Sequence, residues 1–488
     1  MGKSTTDRRE DISYTSIDVK LDKSNFQNSK DELTKNLPLL GVRHGQALIG
    51  FLLIFVFYGA RSSLSSAIVA MTDPTVNSDP AIPTYPEWQD KSVVLSAFFW
   101  GYVLPQPLTG WLTNRYGPKW FLVVFLTISS ALGSAIPLAA AQFGSKGVMV
   151  VRAFQGFFQG LIYPSVAYTL SHWVPVSERS RMATFIYSGA YMGTVVALLV
   201  TGALSTSKYG WPIAFHFFSF LGIVWCILMA VFGYDTPEEH PKISKAEKFY
   251  IEHSLGHANG KKKLNTPWKA IFTSVPISAI LAAQCTSNFV FYLLITQIPL
   301  YMSNILKFDM DNNSFMSSLP YLTFVFLSFF FSTASDAVIN RNIFSIGTCR
   351  KIFTAVGLVI PAAALIILGY TDPKHQTKAV CLLVIAVASS SAILSGWAVN
   401  PIDLAPNHAG TVNGLTSSIG NSLGFVAPLV SQVIVTDQGD ISQWRIIFLI
   451  SAAGNVLGAI YFAIFGSGEI QPWNDEIEKS NGNKTSKM

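Results

Sequence analysis

The chain has 488 residues, of which 50% are apolar and only 13% are charged, with 34 Lys and Arg against 28 Asp and Glu. The charged fraction is about half of that in ordinary soluble domains, and the mean hydropathy is positive, at +0.39. This composition argues against a soluble enzyme, a disordered chain and a nucleic-acid-binding protein.

The charged residues are concentrated in three segments. Residues 1–48 hold fifteen, residues 235–269 hold twelve and residues 467–488 hold seven, which leaves two long blocks with few charges. A helix needs about 20 apolar residues to cross the ~30 Å hydrocarbon core of a membrane. Each block contains six such segments: 46–70, 92–112, 120–141, 148–171, 181–203 and 212–234 in the first, and 271–300, 316–337, 352–370, 379–398, 411–434 and 443–466 in the second.

These segments predict an all-α membrane protein with twelve transmembrane helices in two pseudo-symmetric six-helix halves, because backbone that faces lipid must satisfy its own hydrogen bonds. The predicted parts are a polar tail (1–45), a first bundle (46–234), a linker (235–270), a second bundle (271–466) and a second tail (467–488). No signal peptide is expected, since the first 36 residues are polar. Prolines within the spans predict kinks at Pro105, Pro107, Pro164 and Pro361.

The distribution of basic residues predicts the orientation. With a cytosolic N-terminus, the tails, the linker and the loops on that side carry 25 Lys and Arg, and the loops on the opposite side carry seven. The positive-inside rule therefore places both termini and the linker in the cytosol. The plasma membrane and a lysosomal or vesicular membrane both remain open as the location.

Few residues in the spans carry reactive chemistry. The four cysteines are dispersed, without the paired spacing of a disulfide framework or a metal site, and no Gly-x-x-x-x-Gly-Lys run is present. A membrane-embedded enzyme needs a converging nucleophile or metal cluster, and intramembrane titratable residues are scarce. We therefore expect no enzymatic activity, no metal and no cofactor other than a coupling ion.

Two loops at corresponding places in the two halves are similar. Residues 110–119 read GWLTNRYGPK and residues 332–341 read STASDAVINR; in both, small residues close a helix, and a polar residue and a base follow. Small residues let helices approach closely, and polar and basic groups can bond across helix ends to hold one state of a gate. We assign gating roles to Asn114, Arg115, Asp336, Arg341 and Asp403.

Residues 110–119 resemble the loop motif of the major facilitator superfamily, with Asn114 where the family usually has an acid. Five further stretches resemble solute carrier family 17, the anion/cation symporters that include sialin, vesicular glutamate transporters and sodium–phosphate cotransporters: RSSLSSAIVAM (61–71), SAFFWGY (96–102), WVPVSERSR (173–181), NPIDLAP (400–406) and GSGEIQPW (466–473). The resemblance implies the major facilitator fold and the symport of an anion with a cation.

Two Arg side chains lie inside predicted spans, Arg61 in the first and Arg152 near the start of the fourth. A charge in this position is costly without partners and normally faces a cavity, and the guanidinium fork suits a carboxylate or a phosphate. Two interpretations remain open for each: binding of an anion, or pairing with backbone carbonyls or Gln to fix helix packing. The family resemblance implies the first. Tyr58 lies three residues before Arg61 on the same helical face and is a further candidate donor.

The fourth and seventh spans bear on the coupling ion and the substrate. Gln155 and Gln159 stand where sialin-like members have carboxylates, and Ala167 stands where the resemblance implies a proton-linked His. Because Gln does not titrate, sodium is favoured over a proton, with Gln155, Gln159 and Asn288 as predicted cation ligands. Ser287 replaces an Arg of the vesicular glutamate transporters, which favours phosphate or a monocarboxylate over glutamate.

The predicted function is that of a monomeric secondary active symporter that moves a small anion by alternating access, with phosphate and sodium as the leading pair. Tyr292 and Asn400 complete the predicted substrate site with Arg61, Arg152 and Tyr58. One alternative is a proton-coupled, sialin-like carrier of acidic sugars or amino acids. A remoter alternative is a membrane sensor or scaffold that moves no solute.

Overall fold

A computed structural model describes residues 41–76, 79, 81–105, 116–175, 178–255, 267–406 and 408–475, and these residues form helices and no β-strand. The helices of the first half are α1 (Val42–Thr72), α2 (Lys91–Val103), α3 (Lys119–Gln159), α4 (Ile162–Trp173), α5 (Arg179–Ser205) and α6 (Pro212–Phe232). Two short helices follow, α7 (Lys245–Leu255) and α8 (Trp268–Thr273). The second half contains α9 (Val275–Asn304), α10 (Met310–Asn340), α11 (Ile346–Gly369), α12 (Gln376–Ser389), α13 (Asn400–Leu404), α14 (Ala409–Ile434) and α15 (Ile441–Phe465).

Capping residues set several helix starts. Asp309, Ser345 and Asp440 precede α10, α11 and α15, and each side chain accepts a hydrogen bond from a backbone N–H in the first turn of its helix. Helix α6 begins at Pro212, where the missing N–H removes no intrahelical bond. These are the local signals that end one membrane crossing and begin the next.

Nine helical segments in the described part of the chain are long and apolar enough to cross a membrane. One of them, α3, has 41 residues, and a straight helix of that length is about 60 Å long, twice the hydrocarbon thickness. Gly144 interrupts α3 with φ 60°, so this helix holds the predicted span 120–141 and the start of the predicted span 148–171. The total of twelve stays a prediction, because residues 106–112 of the second predicted span lie outside the described part.

The helices do not coincide with the predicted spans at several places. Helix α1 begins at Val42, before the predicted residue 46, and Ser274 separates α8 from α9 inside the predicted span 271–300. The fourth predicted span is broken at Gly160 and Leu161, between α3 and α4. The tenth passes from α12 into a 3-10 helix at Ser390–Ser395.

The predicted kinks have different outcomes. Pro361 lies inside α11 as expected. Pro105 lies two residues past the end of α2. Pro164 is the third residue of α4; it has no backbone N–H for the carbonyl four residues earlier, and the helix is broken there, at Gly160 and Leu161, as a kink predicts. Pro107 lies outside the described residues, as do the gating candidates Asn114 and Arg115 and most of both tails.

The two halves repeat one packing pattern in their main helix contacts. Helix α1 packs against α5 and α6, and α9 packs against α14 and α15. Helix α3 packs against α2 and α6, while α10 packs against α12 and α11 against α15. Between the halves, α5 packs against α10 and α2 against α14. This pairing supports the pseudo-symmetry that the sequence predicts.

Glycines permit the close helix contacts that position the first half. A Cβ on Gly101 of α2 would collide with the backbone of Ala153, and one on Gly156 of α3 would collide with the backbone of Phe98. Gly193 brings α5 equally close to α1. These contacts follow the small-residue rule for membrane helices, and they hold α2 against α3 and α5 against α1.

The two halves are hydrogen-bonded to each other at the end where α1 finishes and α2 begins, here called the Thr72 end. Ser92 donates to Gln297, and Gln432 donates to the backbone of Gln89. Thr206 donates to Asp311 at 3.1 Å. At the opposite end, here called the Val42 end, the hydrogen bonds and ion pairs that described residues make with one another stay within one half or join it to the linker.

Candidate functional site

Arg61 lies in the middle of the molecule, on α1, and is 5% exposed. Its terminal nitrogens Nη1 and Nη2 are buried and have no hydrogen-bond partner. Aromatic rings surround the guanidinium, with centroids between 4.4 and 6.0 Å from Cζ: Phe57, Tyr58, Phe98, Phe99, Tyr102 and Tyr292. The rings stabilise the cation through their π faces, but they leave its directional donors unused.

Arg152, on α3, is fully buried but has partners. Its Nη1 donates to Gln155 Oε1 at 2.8 Å and to the backbone oxygen of Ala60 at 3.3 Å, and its Nη2 donates to the backbone oxygen of Arg61 at 3.0 Å. Only Nε has no partner. Arg152 is therefore paired with backbone carbonyls and a Gln, which is the packing interpretation that the sequence left open for both cations. These hydrogen bonds hold α3 against α1 beside Arg61.

A single cavity contains both cations. It is lined by Arg61, Ser62, Ser65, Leu95, Phe99, Arg152, Ile295 and Thr296. Side chains of α1, α2 and α3 from the first half meet those of α9 from the second, so the cavity lies between the halves. The ion pairs found among the described residues involve other bases, so the two buried charges face this space without a carboxylate partner.

Tyr58 and Tyr292 lie beside Arg61, as predicted. The Tyr58 hydroxyl is hydrogen-bonded to the hydroxyl of Tyr163 at 3.0 Å. The Tyr292 hydroxyl donates to Asn421 Oδ1 at 3.0 Å, and Asn288 Nδ2 donates to the same oxygen at 3.4 Å. Asn421, on α14, fixes this face of the second half; the sequence analysis did not single it out.

Gln155 and Gln159 are both buried on α3. Gln155 Nε2 donates to the backbone oxygen of Ser129 at 3.4 Å, and Gln159 Nε2 donates to Ser129 Oγ at 2.6 Å. Ser129 lies on α3 before the break at Gly144, so these amides join the two segments of that helix. Neither Gln lines the cavity of Arg61, although Gln159 Oε1 is buried without a partner.

Asn400, a predicted substrate-binding residue, does not line this cavity. It is fully buried at the start of α13, and its Nδ2 donates to the backbone oxygen of Ser467 at 2.8 Å. Gln471 N–H also donates to the backbone oxygen of Leu404. The stretches 400–406 and 466–473 therefore pack on each other at the Val42 end, where Asn400 anchors the segment that follows α15.

The predicted gating pair of Asp336 and Arg341 is not formed: both side chains are exposed, and neither takes part in an ion pair between described residues. The ion pair at this end of the second half is instead between Asp403 and Arg350, with Nε 2.7 Å from Oδ2. Arg350 Nη1 also donates to the backbone oxygen of Ser395 at 2.9 Å. The gating role of Asp403 is retained as a hypothesis, with Arg350 as its partner.

The first half has its own charge cluster at the Val42 end. Arg43 binds Glu178 at 2.8 Å and Glu247 at 3.0 Å, and the backbone N–H groups of Val42 and Arg43 donate to Glu247. Glu247 lies on α7, so this contact holds the linker helix on the start of α1. The hydrogen bond from Arg43 lowers the pKa of the Glu178 carboxyl below its ordinary value.

Sequence reasoning missed the aromatic residues that surround Arg61, above all Phe98, Phe99 and Tyr102. Their signal was present: they lie in the stretch SAFFWGY at 96–102, with Phe98 and Tyr102 one helical turn apart. In the sequence, this stretch indicates the family resemblance but not the position of its rings around Arg61. Arg350 was also missed, because its distance in sequence from Asp403 conceals their contact.

Comparisons with known proteins agree with this architecture. Residues 50–428 match the family model described as "Major Facilitator Superfamily". The "Putative inorganic phosphate cotransporter" of Drosophila ananassae is 34% identical over 444 residues, which cover 86% of this chain and 92% of the relative. Sialin of Ovis aries is 32% identical over 452 residues, covering 88% and 90%.

A solved structure with a similar fold is that of a bacterial homolog of the human lysosomal transporter Spinster, in an inward-facing and unoccupied conformation. It superposes with a TM-score of 0.66 at 14% sequence identity, covering 87% of this chain and 96% of that chain. At this identity the likeness extends to the fold alone. The fold prediction made from the sequence is confirmed by these matches.

Proposed function

Because the chain belongs to the Major Facilitator Superfamily and, within it, to solute carrier family 17, we propose that it moves phosphate together with sodium by alternating access. The protein is a membrane transporter and not an enzyme. The identity of the solute and of the coupling ion are the parts that we propose.

The proposal rests on the missing hydrogen-bond partners of Arg61. Its Nη1 and Nη2 are buried without partners, in a cavity that also contains Arg152. A buried cation left unpaired costs several kcal/mol, and an anion that accepts hydrogen bonds from the guanidinium fork offsets that cost. A phosphate oxyanion has the charge and the geometry for this role.

The contacts between the halves support alternating access. With the Val42 end in the cytosol, as the basic residues predict, the halves are joined on the outer side through Ser92, Gln297 and Gln432. The Asp403–Arg350 pair lies on the cytosolic side and within one half. This arrangement is that of an inward-facing state, in which the cavity of Arg61 lies just inside the closed outer gate.

Sodium is favoured as the coupling ion by the chemistry of α3. Gln155 and Gln159 do not titrate, so neither side chain can carry a coupled proton. Amide, hydroxyl and carbonyl oxygens suffice for a monovalent cation. Asn288 and Gln159 remain its proposed ligands, whereas the predicted ligand Gln155 already accepts a hydrogen bond from Arg152 through Oε1.

A second candidate substrate is an organic anion carried in the manner of sialin. It is favoured by the aromatic surface around Arg61, which offers apolar area beyond what an inorganic ion needs, and by the similarity to sialin of Ovis aries. We also propose that the protein is a monomer with cytosolic termini, located in the plasma membrane or in a lysosomal or vesicular membrane.

Uptake into vesicles tests the proposal. The full chain is reconstituted, and labelled phosphate and a panel of organic anions are supplied with a sodium gradient or a pH gradient imposed separately. The expected result is phosphate uptake driven by sodium and abolished when the sodium gradient is collapsed. Uptake of organic anions alone, driven by pH, selects the second candidate; no uptake under either gradient favours a sensor or scaffold.

A further inference from the structure

Three hydroxyl groups line the cavity beside Arg61 and Arg152. The proton of each already makes a hydrogen bond to another group of the protein. Ser65 Oγ donates to the backbone oxygen of Ser62 at 2.7 Å. Thr296 Oγ1 donates to the backbone oxygen of Tyr292 at 2.7 Å. Neither hydroxyl has a second proton for a ligand.

The proton of the third hydroxyl, that of Ser62, is also used in a hydrogen bond, because its neighbour Thr194 donates its own proton elsewhere. The Ser62 oxygen lies 3.3 Å from Thr194 Oγ1, and Thr194 Oγ1 donates its own proton to the backbone oxygen of Ala190 at 2.9 Å. Ser62 is therefore the donor in the bond to Thr194. All three cavity hydroxyls are left with lone pairs as their only free hydrogen-bonding capacity.

The cavity therefore has two chemically distinct sides. The free donors are Nη1 and Nη2 of Arg61 and Nε of Arg152. The free acceptors are the hydroxyl oxygens of Ser62, Ser65 and Thr296, and the Thr296 oxygen also accepts from Gln297 Nε2 at 3.4 Å. The remaining lining side chains are apolar: Leu95, Phe99 and Ile295.

We propose that this site selects an oxyanion that carries an O–H group of its own. The deprotonated oxygens of the anion accept from Arg61, and its O–H donates to Thr296 or Ser65. An anion without a proton would place its lone pairs against those of the two hydroxyls, which leaves buried acceptors unpaired. This inference deepens the proposed function and depends on it, because phosphate meets the requirement and sulfate, a tetrahedral anion of similar size, does not.

Phosphate and sulfate can be compared at equal charge. At about pH 8 phosphate is mainly a dianion that retains one O–H, whereas sulfate is a dianion with none. Affinities are measured by titration calorimetry on the full chain in lipid nanodiscs, with both anions supplied as sodium salts at the same sodium concentration. Monofluorophosphate, a dianion in which fluorine replaces the O–H, serves as a second comparison.

We expect phosphate to bind at least tenfold more tightly than sulfate or monofluorophosphate, because a site built around a ligand's O–H rejects analogues that lack it. Thr296→Val keeps the shape of the side chain and removes the acceptor, so it should weaken phosphate binding by about five- to tenfold and leave sulfate binding nearly unchanged. Thr286→Val, the same change on α9 at a residue that does not line the cavity, should alter neither affinity.

The outcomes separate this inference from the proposed function. Equal affinity for phosphate and sulfate overturns the inference and leaves the phosphate proposal standing. The same holds if the double variant, Thr296→Val with Ser65→Ala, preserves the preference for phosphate. If neither phosphate nor sulfate binds, the proposal that phosphate is the substrate is overturned together with the inference.

Discussion

The guanidinium carbon of Arg61, on the first helix of one half, lies 4.8 Å from the ring centroid of Tyr292, on the first helix of the other half. The Tyr292 hydroxyl is held by Asn421 on α14, so the ring is fixed from the side of the second half. Arg61 therefore lies against side chains of both halves. This is the relationship that an alternating-access carrier requires, because the substrate must sense the relative position of its two halves.

The first prediction concerns transport. Arg61→Ala should reduce phosphate uptake at least tenfold, because it removes the free donors of the site. Arg61→Lys should recover part of the activity, since it keeps the charge but loses the planar fork. Arg445→Ala is the matched control, because Arg445 donates to the backbone of Gly369 outside the cavity. Unchanged phosphate affinity in Arg61→Ala would show that this residue is not the anion site.

The second prediction separates the two buried cations by stability. Arg152→Met should destabilise the ligand-free protein by about 2–4 kcal/mol, because it removes hydrogen bonds to Gln155 and to the α1 backbone. Arg61→Met should be neutral or stabilising by about 1–4 kcal/mol, because it removes a buried charge that has no partner. Thermal unfolding of both variants in detergent without phosphate measures the difference. Equal destabilisation would contradict the distinction drawn between the two residues.

The third prediction concerns the charge pair at the Val42 end of the second half. Asp403→Asn and Arg350→Gln should each change the transport rate, and a double-mutant cycle should give a coupling of about 1–3 kcal/mol in stability, as expected for a part-buried pair. Asp336→Asn is the control. If the cycle for Asp336 with Arg341 shows the larger coupling, the gating pair read from the sequence is the functional one.

The fourth prediction concerns acid. The Arg43 hydrogen bond lowers the pKa of Glu178 from its ordinary 4.5, so the folded protein binds this proton more weakly than the unfolded chain. The contribution to stability is therefore fully present above about pH 4.5 and is lost as the pH falls through the lower folded pKa. Glu178→Gln should melt at a lower temperature than the wild type at neutral pH.

Once the pH has fallen below the lowered folded pKa of Glu178, the melting temperatures of Glu178→Gln and the wild type should converge. Glu252→Gln serves as the control, since Glu252 forms an exposed pair with Lys248 at 3.7 Å and such pairs contribute little. A constant difference between Glu178→Gln and the wild type across the whole pH range would show that the ion pair with Arg43 is not its cause.

The sequence alone determined the class of the molecule, the positions of most membrane crossings and the two cations inside them. Each of these is a local property, because the cost of placing a segment or a charge in lipid depends on the residues of that segment. The repeated loops also predicted two similar halves. Arg61 and Arg152 nevertheless looked alike in sequence, each with the same two interpretations.

Only the tertiary structure distinguished the two cations. Arg152 meets backbone oxygens of α1, about ninety residues away along the chain, whereas the nitrogens of Arg61 meet none. Asp403 pairs with Arg350 and not with Arg341, and Asn400 binds the segment after α15 and not the cavity. Hydrogen bonds act over about 3 Å, so their partners are decided by how distant helices pack, which no single segment of sequence encodes.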